Sequence, residues 1–539
     1  MKLSVLVTLA LVYALAPAQL GRVDTVGGTT HDWLTGGPAK RYIVNSPGKG
    51  IHVVWIRSQS ELTTFPDRNM AHNFYDYAER RWLANDPADY MNSGQEVFLE
   101  RAGFGTLDVD PRDGQVLVSA HAGSPTRVEL AREVSHGSFL YEYAGASPVA
   151  EGYAWPVLTV DTAGWPHVSV KGGTSLDDLF HGRMRTWGQW DTFDLVAPAA
   201  AACCQNITAS RVSHRVVLAW VGSSWPTPDS GYYRESADGG TTWLDIQPLP
   251  FPPAYGGDTV PSFHVSSLFP YYDRRDRLHI VAGVMPHVGE QGYVQPAEIW
   301  HWCRNNSPQW SRIHRAGADS LAGGVGYNAL FAGRPSIGED QVGGLHVAWE
   351  QFGPLNVEPL TGLLRADIWW ARDNNDNGAS WRVPDRLTDP DSASKRYPAV
   401  MDYLSEDTLR VFYLFDLVAG FRVQGEGPAT RNPVVVQHLP IVCGAVSGPE
   451  PVRPMPAFGP TIIRGSLWLG AEHDPILPGE SGLCPKPAQL LDATGRKVMD
   501  LQPGENAVRH LAPGVYFIRT EGSRIEGVEG ASAKVVIQR

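Results

Sequence analysis

The sequence predicts an all-β chain: a seven-bladed β-propeller, with six blades as the alternative, followed by a small C-terminal β-sandwich. The first observation behind this is a recurring apolar segment. It reads Gly50-Ile51-His52-Val53-Val54-Trp55, then Gly114 to Ser119, Gly164 to Val170, Arg215 to Trp220, Arg277 to Ala282, Gly344 to Trp349 and Leu409 to Tyr413. Runs of β-branched and aromatic residues bounded by turn residues read as buried strands. A spacing of roughly 50 to 75 residues marks a repeat architecture. The second observation is what flanks each copy. A shorter apolar segment precedes it, often opened by proline, as at Pro156, Pro261, Pro335 and Pro398. Several copies are followed by an aromatic segment and a closing tryptophan: Trp82, Trp190, Trp243, Trp310 and Trp381. Four strands make one blade, and seven such units fit between about Thr30 and Leu439.

The ends read differently. Lys2 precedes an apolar run from Leu3 to about Leu15 and then Ala16-Pro17-Ala18. A basic start, a short apolar run and a small-x-small site predict a secretory signal peptide over residues 1–18. No later run is long and apolar enough for a transmembrane segment. The propeller is expected over 30–445, and a Pro/Gly-rich linker over 446–460. The five cysteines, Cys203, Cys204, Cys303, Cys443 and Cys484, show neither zinc-ligand spacing nor a disulfide framework. A net charge of −12 argues against nucleic acid as a partner, although it leaves room for a local basic pocket.

The most specific local motif is Ser236-Ala237-Asp238-Gly239-Gly240-Thr241-Thr242-Trp243. Asn374 to Trp381 is a looser copy, with Asp376, Gly378 and Trp381 in register. The Asp carboxylate accepts backbone N–H groups across a tight turn, and the Gly supplies a left-handed backbone. This motif resembles the Asp box, or BNR repeat, of sialidase-like propellers. The resemblance implies a folding element on the face away from any ligand.

The tail contains Asp492-Ala493-Thr494-Gly495-Arg496-Lys497-Val498, Leu511 to Arg519 with Gly514 and Tyr516, and a last segment led by Lys534. From the residues alone these are strands of a small sandwich over 461–539. The order of the three motifs is similar to the type A C-terminal sorting domain of type IX secretion. That resemblance implies export through the type IX machinery and a secreted or outer-surface location. Its usual opening motif is only echoed by Arg453 to Phe458.

Chemistry is less legible. His52, His279 and His346 recur at one repeat position and read as strand consensus, so neither a metal nor a cofactor is expected. Asp373 to Gly378 starts like a calcium loop, but Pro384 stands where the bidentate Glu belongs. Asn206-Ile207-Thr208 is a glycosylation sequon, read here as coincidence. Sialidase chemistry requires three Arg for a carboxylate, a Tyr-Glu pair and an Asp. The strand signature that usually opens it is replaced by Lys40-Arg41-Tyr42-Ile43-Val44. Arg41, Arg334 and Arg396 stand beside inner-strand starts. They are ligand-binding candidates as a partial basic ring at the channel, and the preferred reading is that they are solvated rim residues in different registers. Long loops place Arg57, Asp67, Glu350, Glu358 and Asp416 on the channel-mouth face. Two functions remain open: a propeller binding a glycan or protein ligand there, and a sialidase-like glycoside hydrolase.

Overall fold

The turns that the sequence marks with Asp are closed by their own carboxylates. Asp161 accepts the amides of Ala163 and Trp165 at 2.9 and 2.8 Å. Asp273 does the same for Arg275 and Arg277, and Asp340 for Val342 and Gly344. Such a side-chain turn joins two strands with few residues. It therefore sets the innermost hairpin of these three repeats.

The computed structural model describes residues 20–441, apart from 149–151, 174, 192, 199, 202, 224–226, 254 and 406. In the C-terminal part it describes 461–463, 466–469, 488–492, 494–502, 504–508, 510–520, 524–525, 528–529 and 532–537. The segments expected as a signal peptide, 1–18, and as a linker, 446–460, lie outside the described residues, as do Cys443 and Cys484. The chain divides into two compact units, one up to Pro440 and one from Ile441 onward. No helix among the described residues is long and apolar enough to cross a membrane.

Among the described residues, the first unit holds seven antiparallel sheets of four or more strands. Their innermost strands are Ile43–Ser46, Leu107–Val109, Ala154–Val160, Asn206–Ala209, Phe269–Tyr272, Ala332–Glu339 and Ser394–Val400. Each packs beside the next, the radial arrangement of a propeller. The second strands, such as Gly50–Arg57 and Leu345–Val357, are buried on both faces over much of their length because sheets cover them from either side. This explains their unbroken apolar reading.

Two details depart from the sequence reading. The strand Arg22–Thr29, which that reading leaves ahead of the propeller, pairs with Asn432–Pro440 as the outer strand of the last sheet. The two ends of the unit are thereby joined in one sheet. The prolines, moreover, do not open the inner strands. Pro156, Pro335 and Pro398 lie inside them at bulges, where the missing N–H breaks no ladder bond. The residue before each proline, Trp155, Arg334 or Tyr397, has a left-handed φ of 53°, 50° or 60°.

The channel is crossed by ions. Arg41 donates to Asp108 at 2.8 Å and to Thr208 at 3.1 Å. Arg211 also pairs with Asp108 and stands 3.5 Å from Asp402. Burial alone would push the Asp108 carboxyl up, but Arg211 and Arg41 outweigh it and hold the group below its usual range.

At the end of the strands where the Asp boxes lie, one arrangement recurs in three sheets. A histidine on the second strand meets one on the third: His52 with His72 at 2.9 Å, His167 with His181 at 3.1 Å, His279 with His301 at 2.8 Å. All six are buried. The register is the same diagonal each time, Val54 facing His72, Ser169 facing His181 and Val281 facing His301. Trp243 of one Asp box packs edge-on to His181, and Trp381 of the other to His301. Gly240 has φ +69°, and a Cβ there would come within 3.0 Å of the His181 ring.

The second unit is described by itself. Its main sheet orders the strands Thr461–Ile463, Ser532–Ile537, Gly514–Thr520, Ala488–Asp492 and Lys497–Leu501. Ser466–Leu469 pairs with Gly504–Ala507. Asp492 accepts the amides of Thr494 and Arg496 across the turn in which Gly495 has φ +82°. Tyr516 is buried and donates to Ala512 O, and Gly514 opens its strand. Lys534 lies in the last strand.

Candidate functional site

The segment from Thr30 to Arg41 joins the outer strand of the last sheet to the inner strand of the first, and nearly all of it is buried. It is pinned along its length. Leu34 O accepts from Tyr42 OH, Gly36 O from Asn328, and Gly37 O from Arg334. Lys40 reaches Gln205 O at 2.5 Å.

With that segment in place, several residues expected at an open rim are sealed. Arg334, Glu350 and Arg396 are 0%, 0% and 2% exposed. They converge: Glu350 accepts from Arg334 at 2.5 Å, from Arg396 at 3.1 and 3.2 Å, and from the Tyr397 amide at 3.0 Å. Burial opposes the Glu350 charge, but Arg396 and Arg334 prevail and hold its pKa down at about 2. Arg334 and Arg396 are thus neither solvated nor independent, because the bulges before Pro335 and Pro398 turn both toward Glu350. Arg41 is apart from them, in the channel with Asp108. Tyr397 is 1% exposed and its hydroxyl has no partner. Asp416 lies behind this group near Asp32. Burial, then the neighbouring acid, pushes Asp416 well up, and burial pushes Asp32 up to about 7. The residue types of a sialidase site, two Arg, a Glu, a Tyr and Asp groups, therefore meet here with no open face toward a ligand.

The other candidates are local. Asp67 accepts from Ser58 Oγ and the amides of Gln59 and Ser60, which folds its own loop. Arg57 donates to Gly94 O, and Glu358 pairs with Arg365. In the Asp boxes, Asp238 accepts the Thr241 and Thr242 amides and the Thr242 hydroxyl, while Ser236 Oγ takes the Gly240 amide. Asp376 bonds the amide and hydroxyl of Ser380 in the same way, Trp381 donates to Ser311, and Gly378 lies against His301.

The open concavity lies to one side, over the first three sheets. It is a cleft of about 800 Å³ lined by His31, Trp33, Arg68, Arg101, Phe104, His121 and Trp155, with the loop from Thr63 to Pro66 at its edge. Phe104 is its hub. The rings of His31, Trp33 and His121 stand 5.6, 5.9 and 5.3 Å from it, and Arg68 lies over its face at 4.8 Å. Phe65, Phe104 and Trp155 all have left-handed φ, which bulky residues adopt only under constraint from their surroundings.

The electrostatics are one-sided. Arg68 is 9% exposed and touches Ala102 O, the His121 ring and Phe104; none of these is a carboxylate. Arg101, which donates to Phe65 O and Thr64 O, adds a second cation. Burial and Arg101 lower Arg68 to about 10, so it stays charged at neutral pH. The Trp155 amide meets His121 Nδ1 at 3.1 Å. A backbone N–H can only donate, so Nδ1 accepts and a neutral ring carries its proton on Nε2. That N–H faces Arg68 Nη2 at 3.3 Å. Two donors therefore confront each other with no acceptor between them. Burial, then Arg68 and Arg101, lowers both His31 and His121 to about 3. The sequence reading missed every one of these residues.

No protein-family model matches the chain, and no curated protein sequence matches it. Among solved structures it is similar to an ulvan lyase of a new polysaccharide lyase family, at 9% identity over 75% of this chain and all of that one, with a TM-score of 0.47. It is also similar to the Penicillium chrysogenum α-L-arabinanase, at 12% identity over 64% of this chain and 95% of that one, with a TM-score of 0.38. The NanB sialidase of Streptococcus pneumoniae gives 11% identity over 78% and 70%, with a TM-score of 0.39.

Proposed function

We propose that the chain is a propeller that binds an acidic glycan in the lateral cleft. The observation that carries this is Arg68, a buried cation that meets no counter-ion among the described residues and whose guanidinium faces the His121 N–H. A buried charge left unpaired is costly, and an acidic oxygen placed between the two donors relieves it. Trp33, Phe104 and Trp155 supply aromatic faces for sugar rings, and Arg101 supplies a second positive group at the rim. The test is titration of the full chain with acidic and neutral polysaccharides of similar length. Binding is expected for the acidic ones, with Arg68→Gln or the exposed Arg101→Gln weakening it at least about tenfold at unchanged melting temperature. Equal affinity for neutral glycans overturns the reading.

One observation favours a catalytic version. Among the described residues the cleft is lined by two imidazoles and two guanidiniums, and none of its lining side chains is a carboxylate. Hydrolysis of glycosidic bonds ordinarily uses two carboxyl groups, so the hydrolase reading finds no support there. Elimination from a uronate suits the set better. Arg68, Arg101 and the His121 Nε2–H would hold and neutralise the sugar carboxylate, and His31 would take the proton beside it and pass that proton to the departing oxygen. Bound carboxylate would also lift the low His31 pKa by offsetting the two cations. Appearance of an unsaturated uronate, lost in His31→Asn, tests this version; binding without product leaves the chain a lectin-like propeller.

Export is proposed on the sequence motifs at the two ends. Mass spectrometry of secreted protein from its native host is expected to show loss of residues 1–18 and of the sorting tail. An intact chain of 539 residues outside the cell overturns it.

A further inference from the structure

The three buried histidine pairs form an internal comparison, and one of them is different. In the third and fifth sheets the second-strand histidine turns its Nε2 toward an aspartate, His167 to Asp161 and His279 to Asp273, each at 3.4 Å. In the first sheet His52 has no such aspartate, and its Nε2 is buried without a partner. That pair has instead a carboxylate on its other side. Glu133 comes from the second sheet, at the start of the turn that caps the first sheet as the Asp boxes cap the others. Its position matches Ser236 in the motif, since Gly137 aligns with Gly240. Where Ser236 reaches only its own turn, the longer Glu133 side chain reaches the neighbouring sheet.

We propose that His52, His72 and Glu133 bind one divalent transition-metal ion of the zinc type, which clips the first sheet to the second. The three residues are 0% exposed, and one ligand atom from each lies within 4.8 Å of the others. Two imidazoles and one carboxylate are a donor set for zinc and its neighbours rather than for calcium or magnesium. Both rings are already oriented by their strands. His72 Nε2 faces His52 Nδ1, and its Nδ1 is held 2.8 Å from Tyr141 OH. A hydrogen bond to the non-ligating nitrogen is what fixes a metal-binding ring in its tautomer. Glu133 Oε1 accepts the Phe139 amide at 2.9 Å, and Oε2 is buried without a partner. Two nitrogens on a tetrahedral zinc stand about 3.3 Å apart, given bonds of about 2.0–2.1 Å. The 2.9 Å gap between the rings therefore has to open by only a few tenths of an ångström. The His136 ring is next to the pair, with centroid 5.9 Å from that of His52 and a buried, unpartnered Nδ1.

The test uses the full chain, stripped with a chelator and titrated with Zn²⁺ by calorimetry and with Co²⁺ by visible absorption. One ion per chain is expected, with the intense absorption of a tetrahedral cobalt site and a rise in melting temperature. Glu133→Gln keeps the Phe139 bond and the shape, so it should fold; it is expected to weaken metal binding at least tenfold. His181→Gln, in a pair whose aspartate lies on the far nitrogen of His167 and does not converge with both rings, is the control and is expected to leave metal binding unchanged. Absence of stoichiometric binding to the wild-type chain, or an equal affinity in Glu133→Gln, overturns the proposal. Should Glu133→Gln fail to fold, the cobalt spectrum and thermal shift of the wild type decide alone.

Discussion

The two ends of the propeller strands follow opposite rules. At the Asp-box end the same solution is repeated: a histidine pair in three sheets, capped by a turn from the next sheet. At the other end the sheets depart from one another. Ala102–Gly103 is an extra piece in the second sheet and Val260–Phe263 in the fifth, and bulges before proline break the third, sixth and seventh. Five bulky residues with left-handed φ, Phe65, Phe104, Trp155, Arg334 and Tyr397, gather there, against Arg80 and Phe139 in turns at the Asp-box end. Repetition signals a demand common to every sheet, which is packing. Departure from it, with backbone strain and an unpaired cation, marks where something other than packing has shaped the chain.

The largest expected effect comes from acid and tests how dry both ends are. Burial holds His31, His121 and His264 at about 3, and His181 and His301 well below their ordinary value. Unfolded histidine titrates near 6.5. Between about 6.5 and 3 the unfolded chain therefore binds more protons than the folded one, so stability is full above that window and falls with pH inside it. Each ring contributes about 1.4 kcal/mol per pH unit. Asp32 and Glu339, raised by burial to about 7, act in the opposite sense as pH falls from 7 toward 4 and offset part of the loss. Denaturant midpoints measured from pH 7 to pH 4 should fall steeply. A flat profile would mean that water reaches these rings.

Next in size is Glu350→Gln. The substitution leaves two buried guanidiniums facing each other without their shared anion. Breaking a buried ion group by removing one member costs about 3–5 kcal/mol. Equilibrium unfolding checks it. A loss below about 1 kcal/mol would mean that the triad is hydrated and open to a ligand after all.

What was legible in the sequence follows the same division. The strands and the Asp boxes could be read because their causes are local: Asp238 bonds residues three and four positions on, and Asp340 closes its own hairpin. The cleft could not be read, because His31, Arg68, Phe104, His121 and Trp155 come from five separate segments and are ordinary in each. One signal was present. Trp155, Arg334 and Tyr397 each precede a proline at the same repeat position, and that step re-aims the preceding side chain. Reading the proline as a strand opening hid Trp155 and Tyr397 and left Arg334 at a solvated rim. The convergence of Arg334 and Arg396 on Glu350 was out of reach for a related reason. Only the pairing of Ala332–Glu339 with Leu345–Val357, and the packing of Ser394–Val400 beside them, brings the three together.

The smallest expected effect, Asp238→Ala, sharpens the comparison most. Asp238 is exposed, and the Thr241 and Thr242 amides it accepts are exposed as well. Water can replace part of what the carboxylate supplies, so the loss should be about 1 kcal/mol, the net worth of ordinary hydrogen bonds. Trp243 should stay against His181, because Ser236 Oγ still holds the Gly240 amide at 2.8 Å. The cleft lies at the opposite strand ends and shares no side chain with this turn. Distant sites without common partners add independently. The affinity of Asp238→Ala for an acidic glycan should therefore equal that of the wild type at a temperature where both are folded. A melting temperature lowered by a degree or two with unchanged affinity keeps the two ends separate. An unchanged melting temperature with lost affinity would reverse the assignment and place the ligand at the Asp-box end.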